Sequence, residues 1–173
     1  MSAAPSTPRA LVVTASNRAA AGVYEDRGGP LITEALTGLG FAVEGPRVVP
    51  DGDPVAEALS AAVAEGYDVV VTTGGTGLSP TDRTPEATRP LLDREIPGIA
   101  EAIRAEGLPE VPTAALSRGL AGLAGRTLIV NLPGSTGGVR DGLAVLGRLL
   151  PHAVDQIRGG GHPAGPPAPG SAR

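Results

Sequence analysis

The sequence of 173 residues contains no cysteine, no tryptophan and no lysine, and only two histidines. Without cysteine, thiol nucleophiles, thiolate metal sites and disulfides are excluded, and no oxidising compartment is needed. All 14 basic residues are arginine, which excludes lysine Schiff bases, Walker A phosphate loops and Ser-Lys hydrolases. His152 and His162 come late in the chain, the second within a Gly/Pro run, so a histidine metal site is not expected.

Clustered positive charge, aromatic side chains and long apolar runs are also scarce. The net charge is −4 and aromatic residues make up 2%, whereas nucleic-acid binding needs basic patches or stacking platforms. No segment approaches the ~18 consecutive apolar residues of a membrane span, and the first residues, MSAAPSTPR, lack a signal-peptide pattern. We therefore expect a cytoplasmic protein with neither a nucleic-acid nor a membrane partner.

The remaining composition predicts one folded α/β domain. Hydrophobic residues make up 41% and charged residues 18%, which is enough apolar material for a core. Residues 1–9 and 159–173 are small, polar or rich in Gly and Pro, so we expect two disordered tails around a domain at 10–158. Within it, apolar strands alternate with helical patterns, and their near-continuous apolar character indicates a sheet covered on both faces.

Periodicity and punctuation by Gly and Pro locate the elements. Strands are predicted at 10–15, around 41–49, at 67–73 and at 127–132. Helices are predicted at 31–39, 53–66, 97–107 and around 139–150, with Asp53 as the cap of the second. Thr84 and Pro85 predict the start of a further helix, which Pro90 and Pro97 interrupt.

Chemistry-bearing residues cluster where the predicted strands end. The four segments are Ser16-Asn17-Arg18, Pro50-Asp51-Gly52-Asp53, Gly74 through Asp82, and Pro133-Gly134-Ser135. In an open α/β sheet the carboxyl ends of the strands face one crevice in which ligands bind. We therefore expect these segments to converge on one site.

The glycine-rich segment Gly74-Gly75-Thr76-Gly77 directly follows a predicted buried strand. Glycines there allow backbone N–H groups to approach an anion, as in a phosphate cradle. The segment lacks the third glycine of a dinucleotide fingerprint and the lysine of a P-loop. A tight strand-to-helix turn remains an equally good interpretation.

Two aspartates at strand ends are the candidate metal ligands. Asp82 follows the glycine-rich segment and Asp51 follows the second strand, and oxygen ligands favour Mg²⁺ over zinc. Each has a simpler interpretation, because Asp82 also suits the start of a turn and Asp51-Gly52 is a common turn pair.

Three further groups are candidates for ligand contacts. Ser16, Asn17 and Arg18 suit either a polar ligand or a solvated loop. Ser117 and Arg118 suit either an anion or the end of a helix. Pro133-Gly134-Ser135 suits either a binding loop or an ordinary turn.

Taken together, these segments resemble the MogA/MoaB family of molybdenum cofactor biosynthesis proteins over about residues 11–156. The resemblance is carried by Ser16-Asn17-Arg18, Gly22 with Tyr24-Glu25-Asp26, TTGGTGLSPTDRTPEAT at 72–88, LSR at 116–118 and NLPGS at 131–135. Several ordered motifs over one domain are far more specific than a single glycine loop.

The resemblance implies a three-layer α/β/α sandwich with a mostly parallel central sheet, assembled as trimers or hexamers. It implies adenylylation of molybdopterin by Mg-ATP, with a molybdenum-insertion protein as a further partner. By motif, Asp82 and Asp51 would place Mg²⁺ and phosphates. Molybdopterin and nucleotide would contact the remaining motif residues, namely Gly74, Gly75, Thr76, Gly77, Ser16, Arg18, Ser117, Arg118, Pro133, Gly134 and Ser135.

One departure and two alternatives accompany this interpretation. After LPGS the family often has a proline and a basic or polar residue, whereas this chain has Thr136-Gly137-Gly138, with Arg140 as the next positive charge. A member that only binds or carries molybdopterin is the main alternative, because a shared fold does not guarantee chemistry. An NAD-dependent oxidoreductase ranks far behind, because it needs the missing third glycine and an acidic ribose ligand at the end of the second strand of a βαβ unit.

Overall fold

The computed structural model describes residues 6–160. Six strands form one sheet: β1 (Arg9–Ala15), β2 (Ala42–Val49), β3 (Val69–Thr73), β4 (Arg94–Glu95), β5 (Ala121–Ala124) and β6 (Thr127–Leu132). The α-helices are α1 (Asn17–Ala20), α2 (Gly28–Gly38), α3 (Asp53–Glu65), α4 (Thr84–Thr88), α5 (Pro97–Gly107) and α6 (Thr136–Ile157). Short 3₁₀ helices cover Arg89–Leu91 and Pro112–Leu116.

The sheet has the strand order β2-β1-β3-β6-β5-β4. The first four strands in this order pair in parallel, with Val12 opposite Val71 and Val71 opposite Val130. The last two strands run antiparallel at one edge. Because β1, β2, β3 and β6 are parallel, their carboxyl ends meet at one edge, which is where the sequence predicted a site.

A hydrophobic core lies on each face of the sheet. Successive residues of a strand point to opposite faces, and in β1 Val12 belongs to one core cluster and Leu11 to the other. The first cluster includes Leu36 of α2 and Leu146 of α6, and the second includes Leu59 of α3. The fold is therefore the expected three-layer α/β/α sandwich, and the prediction of fold class is confirmed.

Several boundaries differ from the sequence predictions. Gly52, with φ of +90°, is the N-cap of α3, and Asp53 is its first residue, so the prediction of Asp53 as cap is wrong. β5 was not predicted, because three of the four residues in AGLA are Ala or Gly, which carry little strand preference. β4 was not predicted either, because it has only two residues.

Some residues of the predicted N-terminal tail belong to the folded domain. β1 begins at Arg9, and the amide of Ala42 donates to the carbonyl of Pro8 at 2.8 Å. The rest of the predicted tails, residues 1–5 and 161–173 with His162, lies outside the described residues. Within residues 6–160, no helix combines the length and the apolar character needed to cross a membrane.

Candidate functional site

Two neighbouring cavities lie at the carboxyl ends of the parallel strands and share Gly134 and Ser135 as a common wall. We call the cavity of 730 Å³ the large cleft and that of 350 Å³ the small cavity. Predicted residues lining the large cleft are Gly75, Thr76, Gly77, Asp82, Ser117, Pro133, Gly134 and Ser135. Those lining the small cavity are Ser16, Gly74, Gly134 and Ser135. The structure thus brings most of the predicted residues together.

The loop after β3 requires glycine at two consecutive positions. Gly74 and Gly75 have φ of +90° and +66°, a region that other residues avoid. A Cβ on Gly74 would lie 2.2 Å from the carbonyl oxygen of Ala15, and one on Gly75 would lie 2.2 Å from Thr84 Oγ1. The two glycines therefore pack the loop against the end of β1 and the start of α4, leaving no space for a side chain.

Asp82 lies at the end of the loop that follows the glycines and lines the large cleft. Its Oδ2 accepts a hydrogen bond from the amide of Ser79 at 3.0 Å, and its own amide donates to the Ser79 carbonyl at 2.9 Å. The side chain is partly exposed. Asp82 therefore presents a locally anchored carboxylate to the large cleft.

Asp51 lies behind the glycine loop and lines neither the large cleft nor the small cavity. Its Oδ1 accepts hydrogen bonds from the amides of Gly52 at 2.8 Å and Arg83 at 3.2 Å. Burial raises the pKa of this carboxyl; these amides oppose the shift, while the negative charges of Asp82 and Glu86 add to it. Asp51 thus supports the loop from behind and contributes negative charge beside it.

Asp82 and Asp51 are the candidate metal ligands that the sequence predicted at this site. No cluster of three or more His, Cys, Asp or Glu suited to a metal ion occurs in residues 6–160. Mg²⁺ commonly takes only one or two protein carboxylates and fills its other positions with water and substrate phosphates. Burial and, to a smaller extent, the negative charge of Asp82 raise the pKa of Asp51. A cation would offset this repulsion, so the two carboxylates could hold Mg²⁺ together with a phosphate.

The segment after β6 forms the wall between the two cavities. Thr73 Oγ1 donates to the carbonyl of Pro133 at 2.7 Å, and Ser135 Oγ accepts from the amide of Gly138 at 3.1 Å as the N-cap of α6. Gly137 and Gly138 line the large cleft, whereas Arg140 lines neither cavity. Where the family often has a basic or polar residue, this chain offers the backbone of a helix N-terminus, which favours anions.

The remaining predicted residues differ in their surroundings. Ser16 caps α1 by accepting from the amide of Ala19 at 3.1 Å and lines the small cavity. Arg18 lines neither cavity, and its guanidinium carbon lies 5.1 Å from the centroid of the Tyr24 ring. Arg118 also lines neither cavity, and its guanidinium donates hydrogen bonds to the backbone carbonyls of Gly77 and Asp82.

Two charged residues of the large cleft were not predicted. Arg104 lines it and donates from Nη1 to the carbonyl of Ser117 at 3.3 Å. Asp141 lines it close to Gly107, where a Cβ would lie 2.9 Å from Asp141 Oδ2. The sequence held a signal for Arg104, because it stands on the apolar face of α5 next to Ile103; Asp141 had no comparable signal.

Comparisons with known proteins identify the family of the chain. Residues 11–152 match the family described as "Probable molybdopterin binding domain". A protein named molybdopterin adenylyltransferase from Helicobacter pylori (strain J99) is 41% identical over 155 residues, which are 86% of each chain. The structure of the molybdopterin biosynthesis Mog protein from Mycobacterium ulcerans has a TM-score of 0.86 and 55% identity, covering 90% of this chain and 99% of that one.

Longer relatives also match. A molybdenum cofactor biosynthesis bifunctional protein from Chlorobaculum tepidum is 39% identical over 163 residues, which are 93% of this chain and 52% of that protein. The chain therefore spans about half the length of such bifunctional relatives. The family match covers most of the chain and every strand of the sheet except part of β1. The chain belongs to the probable molybdopterin binding domain family, with MogA, MoaB and Mog proteins as its structural neighbours.

Proposed function

We propose that the chain is a molybdopterin adenylyltransferase that uses Mg-ATP. A terminal phosphate oxygen of molybdopterin forms a bond to the α-phosphorus of ATP, the α–β phosphoanhydride bond breaks, and pyrophosphate leaves. One observation carries this proposal: two cavities meet at Gly134 and Ser135, and Asp82 lines the larger one, as a reaction that joins two bound substrates requires. The name of the H. pylori relative supports the same activity.

The proposed reaction needs no protein base. A phosphate monoester is largely ionised near pH 7, because its second pKa is about 6, so the attacking oxygen needs no deprotonation. Neither cavity is lined by a histidine, and the chain has no cysteine or lysine. Catalysis then rests on positioning the two phosphates and on neutralising their charge.

Backbone amides supply part of that neutralisation. The glycine loop and the first turn of α6 both line the large cleft, and exposed N–H groups at such sites favour phosphate. Ser117 in the large cleft and Ser16 in the small cavity add hydroxyl groups. These groups hold the two phosphates in line for the transfer.

Asp82 and Asp51 would hold Mg²⁺, with Asp82 facing the large cleft and Asp51 behind Gly75. The ion, when bound, offsets negative charge on the phosphates and orients them. The oxygen donors and their mutual repulsion fit this cation, as described above. We further propose a cytoplasmic protein that works as a trimer or hexamer and whose product passes to a molybdenum-insertion protein.

The decisive experiment incubates the protein with molybdopterin and Mg-ATP and measures both pyrophosphate release and adenylylated product. Asp82→Asn is compared with Glu34→Gln, which neutralises an exposed carboxylate in α2. We expect product from the wild type and the control, and at least a hundredfold less from Asp82→Asn with an unchanged circular dichroism spectrum. Tight molybdopterin binding without product from any of the three would overturn the catalytic proposal and favour a carrier.

A further inference from the structure

One arginine holds both ends of the loop that carries Asp82. We call residues 77–82 the Asp82 loop. Arg118 Nε donates to the carbonyl of Gly77 and Nη2 donates to the carbonyl of Asp82, both at 2.8 Å. The backbone amide of Arg118 also donates to the carbonyl of Thr76 at 2.9 Å. The planar guanidinium therefore spans the loop from its first residue to its last.

Glu86 completes this arrangement. Arg118 Nη1 donates to Glu86 Oε1, and the two side chains form an ion pair. The hydrogen bond from Arg118 is the main cause that lowers the pKa of Glu86, so its carboxylate stays ionised. Glu86 lies in α4, outside both cavities. It anchors the guanidinium to a helix.

The Asp82 loop depends on these contacts because it has little else to hold it. It contains no helix or strand, and residues 78–81 are exposed, Leu78 by 65%. Its internal hydrogen bonds join Ser79 to Asp82 and the hydroxyl of Ser79 to that of Thr81, all within the loop itself. Arg118 Nε and Nη2 therefore tie a freestanding loop to the rest of the domain.

We propose that Arg118 and Glu86 are positioning residues that fix the Asp82 loop and so aim the Asp82 carboxylate into the large cleft, in place of a direct contact between Arg118 and a substrate phosphate. The inference deepens the proposed function and rests on it for its kinetic part. All three guanidinium nitrogens already donate within the protein, and Arg118 lines neither cavity.

The first test is kinetic and compares Glu86→Gln, Arg118→Lys and the double variant. Glu106→Gln is the matched control, because Glu106 also forms an exposed ion pair with an arginine, Arg148, at 3.2 Å. We expect Glu86→Gln to lower kcat about fivefold to twentyfold with KM for both substrates within twofold, because the loop is misplaced while binding groups persist.

The same comparison separates positioning from phosphate contact. A positioning role predicts that lysine fails to rescue Arg118, because one ammonium cannot span two carbonyls as the fork does. It also predicts that the double variant is no worse than Arg118→Lys, because both changes break one network. Rescue by lysine, a gain of activity in Glu86→Gln, or a rise confined to KM would overturn the proposal.

The second test needs no activity and therefore stands apart from the proposed function. Hydrogen exchange measured by mass spectrometry on the unliganded protein reports on the amides of residues 77–83. We expect exchange there to speed up at least tenfold in Glu86→Gln and Arg118→Lys, with unchanged exchange in β3 and in Glu106→Gln. Unchanged exchange at 77–83 in the variants would overturn the positioning role of Arg118 and Glu86, even if the wild type is an active enzyme. Faster exchange in the variants of an inactive wild type would instead refute only the proposed function.

Discussion

The amide of Arg83 donates a hydrogen bond to Asp51 Oδ1 at 3.2 Å. This bond joins the end of β2 to the residue directly after Asp82, although 32 residues separate the two partners. The two predicted metal ligands are therefore coupled through one backbone amide. We therefore expect a change at Asp51 to shift Asp82 as well.

We expect Asp51→Asn to lower activity at least tenfold and to raise the thermal midpoint at pH 7 by about 1–2 °C. Burial raises the pKa of Asp51 in the folded protein, so its ionised form costs stability there. Such a group favours the fold below its unfolded pKa and loses that contribution as the pH rises through the folded pKa. The increase in thermal midpoint of Asp51→Asn over the wild type should therefore vanish in acid. Calorimetry between pH 3 and 8 measures this difference, and an increase that persists below pH 4 would contradict the assignment.

Gly75→Ala should abolish activity and destabilise the fold by about 2–4 kcal/mol. The new Cβ would meet Thr84 Oγ1 and lie 2.5 Å from Asp51 Oδ2, in addition to the cost of φ at +66°. Gly66→Ala is the matched control, since Gly66 has φ of +76° at the end of α3 but open space around a Cβ. It should cost only about 1 kcal/mol and leave activity unchanged. Equal losses in the free energy of unfolding for the two variants, measured by urea denaturation, would show that the lack of space around Gly75 is unimportant.

Asn131→Asp tests a buried polar network below the site. Asn131 Nδ2 donates to Thr72 Oγ1 at 3.0 Å and to Thr88 Oγ1 at 3.1 Å, and its Oδ1 accepts from the amide of Leu120 at 3.1 Å. A buried carboxylate cannot donate these bonds, so the variant should lose about 3 kcal/mol at pH 7.

The pH dependence of Asn131→Asp checks the cause. Burial would raise the pKa of the introduced carboxyl, so stability is lost as pH rises through that pKa and the variant comes closest to the wild type in acid. Urea denaturation at pH 4 and pH 8 measures both. A deficit that does not shrink at the lower pH would contradict burial of charge as the cause.

The ion pair between Arg158 and Asp68 should matter more than exposed pairs. Arg158 donates from Nε and Nη2 to the two oxygens of Asp68 at 2.8 and 3.0 Å, and the Asp68 side chain is only 15% exposed. Arg158→Gln should therefore cost about 1–3 kcal/mol. Arg148→Gln, which breaks an exposed pair with Glu106, should cost under about 0.5 kcal/mol.

The same pair gives a second pH dependence of opposite sign. Burial alone would raise the pKa of Asp68, but hydrogen bonds from the Arg158 side chain and the Arg9 amide outweigh it and lower the pKa. Stability from such a carboxylate is present above its unfolded pKa and is lost as the pH falls through the folded pKa. The difference between wild type and Arg158→Gln should thus be largest near pH 7, and a difference that grows in acid would contradict this assignment.

The local pattern of the sequence was sufficient for the main architecture. Apolar runs identified β1, β3 and β6, and their parallel arrangement placed Ser16, Gly74 and Ser135 around one small cavity. The sequence could not reveal β5, because its Ala and Gly residues have little strand preference of their own. The strand forms through its antiparallel pairing with β6. Pairing of this kind is a property of the tertiary fold.

The sequence predicted which residues lie near the site better than it predicted where their side chains point. Asp82, Gly75 and Gly77 line the large cleft and Gly74 lines the small cavity, whereas the side chains of Arg18 and Arg118 line neither. The sequence shows that Arg118 carries a charge, but it does not show which groups the guanidinium contacts. Only the folded backbone brings Glu86 and the carbonyls of Gly77 and Asp82 within hydrogen-bond distance. For the same reason the sequence did not indicate Asp141.

The position of β3 in the sheet determines how the site responds to stress. All five residues of β3 are buried, and the strand is hydrogen-bonded to β1 on one side and to β6 on the other. Such a central strand opens only when the whole domain unfolds. Because the glycine loop directly follows β3, the backbone of Gly74 and Gly75 should keep its shape until the protein melts. A loss of activity at a lower temperature or denaturant concentration would therefore originate in the exposed Asp82 loop and not in these glycines.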